Sequence, residues 1–206
     1  MFAGGCTLAA TEDVAGAVVG TLQSLVEKSL VRSGDGRYWM LETIRDFAAE
    51  RLWRSGEAEQ LRRRHADWFT ELAVETEPQL CARTQSAALA RLGEEHDNLR
   101  AALEFLGADS PAEARLAGAL WYFWFVAGHL EEGRQRLTAA LTRAAHAPPA
   151  MRAPLHDGLS IIEMAGGDAD EAVRHAVESL SIRRSVDDPR GLLRSLLNRA
   201  TSAGDK

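Results

Sequence analysis

Residues 94–97, with the sequence Glu-Glu-His-Asp, come closest to a metal or acid–base site, because carboxylates and imidazole are common metal ligands. Neighbouring residues of a helix point about 100° apart, so this run cannot converge on one ion. His96 also lies on an apolar stripe with Leu92 and Leu99. The pattern favours a buried, hydrogen-bonded histidine over a ligand, and the same reasoning applies to His65.

The motifs of hydrolytic enzymes are missing from the sequence. It contains neither HExxH, which would place two zinc ligands on one helix face, nor the GxSxG turn that exposes a nucleophilic serine. Cys6 and Cys81 lack CxxC spacing, so they predict neither a zinc site nor a redox pair. We therefore predict no catalytic residue, no metal site and no enzymatic activity.

The two lysines exclude a phosphate-binding P-loop, which requires the pattern Gly-x-x-x-x-Gly-Lys-Ser/Thr. Lys28 follows Glu27 and Lys206 follows Asp205, so neither stands in that pattern. The sequence predicts no nucleotide-binding core and no cofactor within this chain.

Charge disfavours direct binding of nucleic acid. The 206 residues carry a formal net charge of −6, and residues 1–56 hold six basic against seven acidic side chains. Phosphate neutralisation supplies most non-specific affinity for DNA, and this segment has no positive excess. If the segment did bind DNA, the contacts would come from Lys28, Arg32 and Arg37.

The first part of the chain predicts a winged-helix-like unit. Short helices around residues 14–18 and 21–30 precede two strand-like segments on either side of residues 33–36, Ser-Gly-Asp-Gly, which suit a tight hairpin. Residues 21–30 would take the position of the recognition helix, and the hairpin would form the wing.

Helical spacing dominates after residue 42. Apolar stripes predict helices that end at Gly56, before Pro78 and at Gly107, the last of them a single helix through residues 89–106. From residue 112 the chain repeats with an offset of 39 and then 37 residues, each unit being a helix, a glycine turn, an acidic helix start and a second helix. This pattern predicts helical hairpins of the tetratricopeptide type.

The predicted fold is mainly all-α. It comprises a winged-helix-like domain at 1–55, a linking helical hairpin at 56–110 and tetratricopeptide-like repeats at 111–206, the last incomplete. The aromatic run 121–125 lies on the first repeat helix and is expected mostly in the core, with Tyr122 and Trp124 as candidates for partner binding. An incomplete final repeat would expose leucines and favour self-association; these are Leu192, Leu193, Leu196 and Leu197. No apolar run is long enough to span a bilayer, and we expect a cytoplasmic location.

Several separated blocks resemble one family, the region after the nucleotide-binding domain of bacterial STAND regulators, predicted ATPases of the LuxR-associated and SARP-associated types. The blocks are 2–8 (FAGGCTL), 25–31 (LVEKSLV), 38–48 (YWMLETIRDFA), 65–69 (HADWF), 95–103 (EHDNLRAAL) and 128–141. The resemblance implies a winged-helix lid and a helical array that senses an inducer or protein partner. It also implies an ATP site outside this chain, on a preceding domain or a separate protein. A winged-helix regulator that binds DNA directly and a free-standing repeat adaptor remain the alternatives.

Overall fold

The computed structural model describes residues 2–107, 109–186, 189, 191–193 and 195–196. Over this part of the chain the protein is mainly helical with one small antiparallel sheet, which confirms the predicted fold class. Two compact units are present. Unit 1 comprises residues 1–72 and 90–105, and unit 2 comprises residues 73–89 and 106–206. The three domains predicted from the sequence stay a prediction.

Unit 1 begins with strand β1 (Cys6–Thr7), helices α1 (Leu8–Ala15) and α2 (Val19–Glu27), and strands β2 (Arg32–Gly34) and β3 (Arg37–Trp39). The predicted hairpin is confirmed: Asp35 and Gly36 form its turn with φ of 50° and 74°, the positive values that a two-residue turn between antiparallel strands requires. β3 is the central strand, since β1 pairs with its other edge. β1 was not predicted, because two residues are too few to show the alternation of apolar and polar side chains that indicates a strand.

Helices α3 (Glu42–Ser55), α4 (Ala58–Thr76), α5 (Gln85–Glu94) and α6 (His96–Leu106) follow the sheet. The prediction that α3 ends at Gly56 is confirmed, with φ of 80° at that glycine. The single helix predicted through 89–106 is wrong. The chain turns at Glu95, whose carbonyl accepts the amide hydrogen of Leu99 at 2.8 Å and starts α6.

Unit 2 contains two consecutive helical hairpins. They are α7 (Ser110–Val126) with α8 (Leu130–Arg143), and α9 (Pro149–Gly166) with α10 (Ala169–Ser185). Gly128 and Gly167 lie in the two hairpin turns with φ of 80° and 89°. The first helices of the two hairpins begin at residues 110 and 149, and the second helices begin at residues 130 and 169. Both pairs of start positions are 39 residues apart, which matches the offset found in the sequence.

The core of unit 2 lies between α7, α8 and α9, where α9 packs against both helices of the first hairpin and against α10. Trp121, Phe123 and Trp124 are buried there, as expected for most of the aromatic run. At the far end Leu193 and Leu196 are exposed and Leu192 is half-buried, whereas Leu197 lies outside the described residues. Self-association through these leucines stays a prediction.

Glycines in the helices of unit 2 permit this close packing. A Cβ at Gly158 would lie 2.5 Å from the Cβ of Trp121 and 2.9 Å from Cδ1 of Leu137, whereas a Cβ at Gly166 on the same helix would meet nothing within 4 Å. The approach of α9 to α7 and α8 therefore depends on the missing side chain of Gly158.

Gly158→Ala is expected to lower the free energy of unfolding by about 1–3 kcal/mol, because the added methyl group overpacks the core. Gly166→Ala is the matched control and should leave stability unchanged or raise it by up to about 1 kcal/mol, since alanine favours helix. Urea unfolding of both variants measures the difference. Equal stabilities would contradict the packing described here.

Candidate functional site

The hairpin arginines have different environments. Arg32 is exposed on β2, and Lys28, just after α2, is also exposed. Arg37 on β3 instead contacts Glu95, with Nη1 2.5 Å from Oε1 and Nη2 3.2 Å from Oε2. The Glu95 side chain is only 4% exposed, and its hydrogen bond to Arg37 is the main reason that the pKa of Arg37 is raised. A DNA contact through Arg37 would therefore require this ion pair to open.

Glu95 belongs to a buried polar cluster, which we call the Asn98 cluster: Ala3, Gly5, Arg37, His65, Glu95 and Asn98. The Asn98 amide nitrogen donates to the carbonyl of Gly5 at 2.8 Å and to Oε2 of Glu95 at 2.7 Å. Its amide oxygen accepts the backbone N–H of Ala3 at 2.8 Å. The fully buried Asn98 thus binds the N-terminal segment to α6.

His65 and Gly5 complete the cluster. Nε2 of His65 lies 3.4 Å from the amide oxygen of Asn98, and burial lowers the pKa of His65 to about 4. His65 is therefore the buried histidine that its apolar stripe predicted. Gly5 has φ of 81°, and a Cβ there would lie 2.8 Å from the carbonyl oxygen of Tyr38, so only glycine fits.

The Asn98 cluster brings together three blocks that are far apart in sequence: 2–8, 65–69 and 95–103. Its carboxylate is neutralised by Arg37 and its amide groups are bound to backbone, so the arrangement is suited to holding β1 and the hairpin on α6 rather than to proton transfer. The sequence did not predict this cluster. A signal was present in the sequence, because Glu95, Asn98 and Ala102 follow one another at spacings of three and four residues, beside the leucine stripe.

Neither cysteine of the chain is in a disulfide. Cys6 is buried beside the cluster, its Sγ lies 3.2 Å from the Thr11 hydroxyl, and burial raises the pKa of its thiol. Cys6 therefore stays protonated and unreactive near neutral pH. Cys81 is exposed.

The two partner-binding candidates on α7, Tyr122 and Trp124, differ in their exposure to solvent. Tyr122 is half-buried and stacks edge-on against Trp121, with ring centroids 5.2 Å apart. Trp124 is 1% exposed, because the missing side chain of Gly133 on α8 allows the two helices to enclose its indole. The structure therefore removes Trp124 from the surface and leaves Tyr122 as the accessible ring.

A groove of about 330 Å³ runs along the first helices of the two hairpins. Small residues of α7 form one side, including Ala114 and Gly118, and Ala150, Met151 and Pro154 of α9 form the other. The groove does not include Tyr122. It is the surface that first helices of stacked hairpins share, and small side chains make it accessible to a partner's side chains.

Within the described residues, no helix combines the length and the apolar character needed to cross a membrane. No protein-family model matches the chain. No solved structure matches it either.

Three curated relatives align with the chain at 33% identity over 224 positions. One is from Mycobacterium bovis and two are from strains of Mycobacterium tuberculosis, and each bears the name "Putative HTH-type transcriptional regulator". The alignments cover 98% of this chain and 25% of each relative. The chain therefore spans about a quarter of the length of the curated relatives that it matches.

Proposed function

We propose that this chain is a non-catalytic signalling module of an HTH-type transcriptional regulator of the STAND, LuxR-associated type, acting in the cytoplasm. The observation that carries the proposal is the alignment of nearly the whole chain with one quarter of three proteins named as such regulators. The order of short helices with a β-hairpin and then repeated helical hairpins supports it, because repeat arrays present extended surfaces for partners.

In this proposal the groove between α7 and α9 receives a protein partner or an inducer, and unit 1 transmits the signal to a nucleotide-binding core. That core lies on a preceding domain or a separate chain, and so does the ATP site. The paired Arg37 and Glu95 suit unit 1 to a mechanical role, since the pair fixes the hairpin beside the start of α6 and occupies the guanidinium of Arg37.

The test uses chromosomal variants in the host that carries the gene. Ala150→Trp places an indole in the groove from an exposed position, and Ala165→Trp places one on the exposed far end of the same helix as its control. We expect Ala150→Trp to reproduce the change in transcript levels caused by deletion of the gene, and Ala165→Trp to leave them as in the wild type. Transcript levels that do not respond to the deletion would overturn the proposed function.

The DNA immediately upstream of the gene distinguishes this proposal from a free-standing repeat adaptor. We expect an open reading frame for a P-loop ATPase there, in the same or a shifted frame, whose product co-purifies with this chain. An upstream region without one would favour the adaptor.

Direct DNA binding is the second candidate, because the names of the relatives specify a helix-turn-helix regulator. Only Lys28 and Arg32 remain available as the predicted contacts, and residues 1–56 hold one more acid than base.

We expect no shift of duplex DNA by this chain in an electrophoretic mobility assay, even at low salt, where phosphate contacts are strongest. A salt-sensitive shift that Arg32→Gln and Lys28→Gln abolish would favour the DNA-binding candidate. Glu50→Gln is the control for altered net charge, because it removes a negative charge at an exposed position of α3.

A further inference from the structure

Unit 1 contains a cavity of about 460 Å³ whose wall includes Ala3 and Gly5 of the Asn98 cluster and none of the residues that line the proposed partner groove. Most of its wall is apolar, and the larger side chains come from α2, β3, α3 and the residues next to the strands; they include Leu22, Leu25, Val31, Trp39, Met40 and Leu52. This volume lies within the range of pockets that bind small organic molecules, about 300–1,000 Å³.

Helix α3 forms one wall of the cavity and is incompletely packed. None of its described side chains is fully buried, and Phe47 and Trp53 are 58% and 70% exposed. The predicted apolar stripe of α3 is only half covered, since Ile44, Ala48 and Leu52 are half-buried. A 14-residue helix depends on burial of its apolar face for stability, so an apolar ligand in the cavity would complete its packing.

One cation, Arg45 of α3, stands in this otherwise apolar wall. Its guanidinium donates a hydrogen bond to the carbonyl of Ala3 at 3.3 Å. Among the residues that the structure describes, no carboxylate forms an ion pair with Arg45. The other polar groups in the wall are the hydroxyls of Thr11 and Tyr38, the Cys6 thiol and the Trp39 indole, and no aspartate or glutamate lines it. The cavity thus joins a large apolar volume to one positive charge that lacks a counter-charge.

From this charge and this volume we infer that unit 1 binds a small amphipathic monocarboxylate. Its aliphatic or aromatic body would fill the cavity between α2 and α3, and its carboxylate would accept hydrogen bonds from the guanidinium of Arg45. The inference goes beyond the proposed function, because the ligand enters unit 1 rather than the groove between the repeat helices. Binding to the chain can be measured whether or not transcription responds to it.

Octanoate and 1-octanol are suitable probes, because they share an eight-carbon body and differ in charge. Isothermal titration of the full chain should give saturable one-to-one binding of octanoate. Arg45→Gln should lower the affinity for octanoate by about tenfold or more, since a charged hydrogen bond is lost, and should leave the affinity for 1-octanol unchanged. Arg45→Lys, which keeps the charge, should retain most of the octanoate affinity.

Arg51→Gln is the matched control, because Arg51 is an exposed arginine of the same helix that lies over the Phe47 ring and outside the cavity wall. Ala48→Phe fills the cavity from α3 and should abolish binding of both probes. Circular dichroism confirms that each variant is folded. The inference is overturned if octanoate does not saturate, if Arg45→Gln and Arg51→Gln bind it equally, or if Ala48→Phe binds as the wild type does. If octanoate does not bind, the apolar wall of the cavity would instead be a contact surface for a protein partner.

Discussion

Replacing Asp157 with asparagine is expected to destabilise unit 2 by about 3–5 kcal/mol, the usual effect of removing one member of a buried ion pair. Asp157 on α9 is 1% exposed and Arg183 on α10 is 4% exposed. Nη2 of Arg183 lies 2.6 Å from Oδ2 of Asp157. Removing the carboxylate charge takes away the counter-charge that Asp157 supplies to the buried guanidinium.

Two serines make the same carboxylate a junction between helices. The hydroxyl groups of Ser179 and Ser195 donate to Oδ1 of Asp157 at 2.6 Å and 2.7 Å, and Nε of Arg183 donates to the Ser195 oxygen at 3.0 Å. The cluster therefore joins α9, α10 and Ser195. Amides of α9 and α10 should lose protection in Asp157→Asn.

Hydrogen exchange of the α9 and α10 amides, together with urea unfolding, measures this effect. Glu131→Gln is the control, because Glu131 pairs with Arg134 on the exposed surface, where solvent screens the pair and leaves it little effect on stability. Adding Arg183→Met to Asp157→Asn should restore part of the stability, since the unpaired buried charge is then gone. An Asp157→Asn protein within 1 kcal/mol of the wild type would show that the ion pair is not a structural determinant.

Acidification from pH 7.5 to pH 5 should destabilise the protein by about 2 kcal/mol for each buried histidine that titrates independently. Burial lowers the pKa of His65, His156 and His175 to about 4, and Arg174 and the mutual repulsion of His156 and His175 act in the same direction. The unfolded chain takes up protons near pH 6.5, whereas the folded chain resists them until about pH 4. The stability that the three neutral, buried histidines contribute is therefore fully present above pH 6.5, and it is lost as the pH falls from 6.5 to 4.

His156 and His175 form one unit between α9 and α10. Their Nδ1 atoms are 2.9 Å apart, so one ring donates its hydrogen to the other, and a second proton would break that bond. Unfolding midpoints in urea between pH 7.5 and 5 measure the loss, over a range in which most carboxylates stay ionised.

His156→Leu should reduce the pH dependence of these midpoints, because a group that must gain a proton on unfolding is removed from the core. His146→Gln, at an exposed histidine, should leave the dependence as in the wild type. Midpoints that stay constant from pH 7.5 to 5, or a His156→Leu slope equal to that of the wild type, would contradict the burial of neutral histidines.

Much of the local structure followed from the sequence, because it depends on residues close together in the chain. The Asp35–Gly36 turn, the helix end at Gly56 and the 39-residue offset of the hairpins all required only local backbone preferences and apolar spacing. Burial of His65 likewise followed from its position on an apolar stripe. These features were predictable residue by residue.

Contacts between distant residues were not predictable in this way. Glu95, at the break between α5 and α6, pairs with Arg37 of the hairpin, and the segment before β1 is bound by Asn98 of α6, so both features involve groups that the fold brings from elsewhere. Trp124 and Tyr122 are two positions apart on α7, and only the approach of α8 at Gly133 decides that the first is buried.

By itself, the sequence determined the helical class, the glycine turns, the repeat period and the lack of a P-loop pattern, since each is a property of residue types at short spacing. The tertiary structure decided which charges pair, which rings are enclosed and where unit 1 keeps an apolar cavity beside Arg45. The physical reason is that burial and pairing depend on what the rest of the chain places against a side chain, and spacing along one helix does not contain that information.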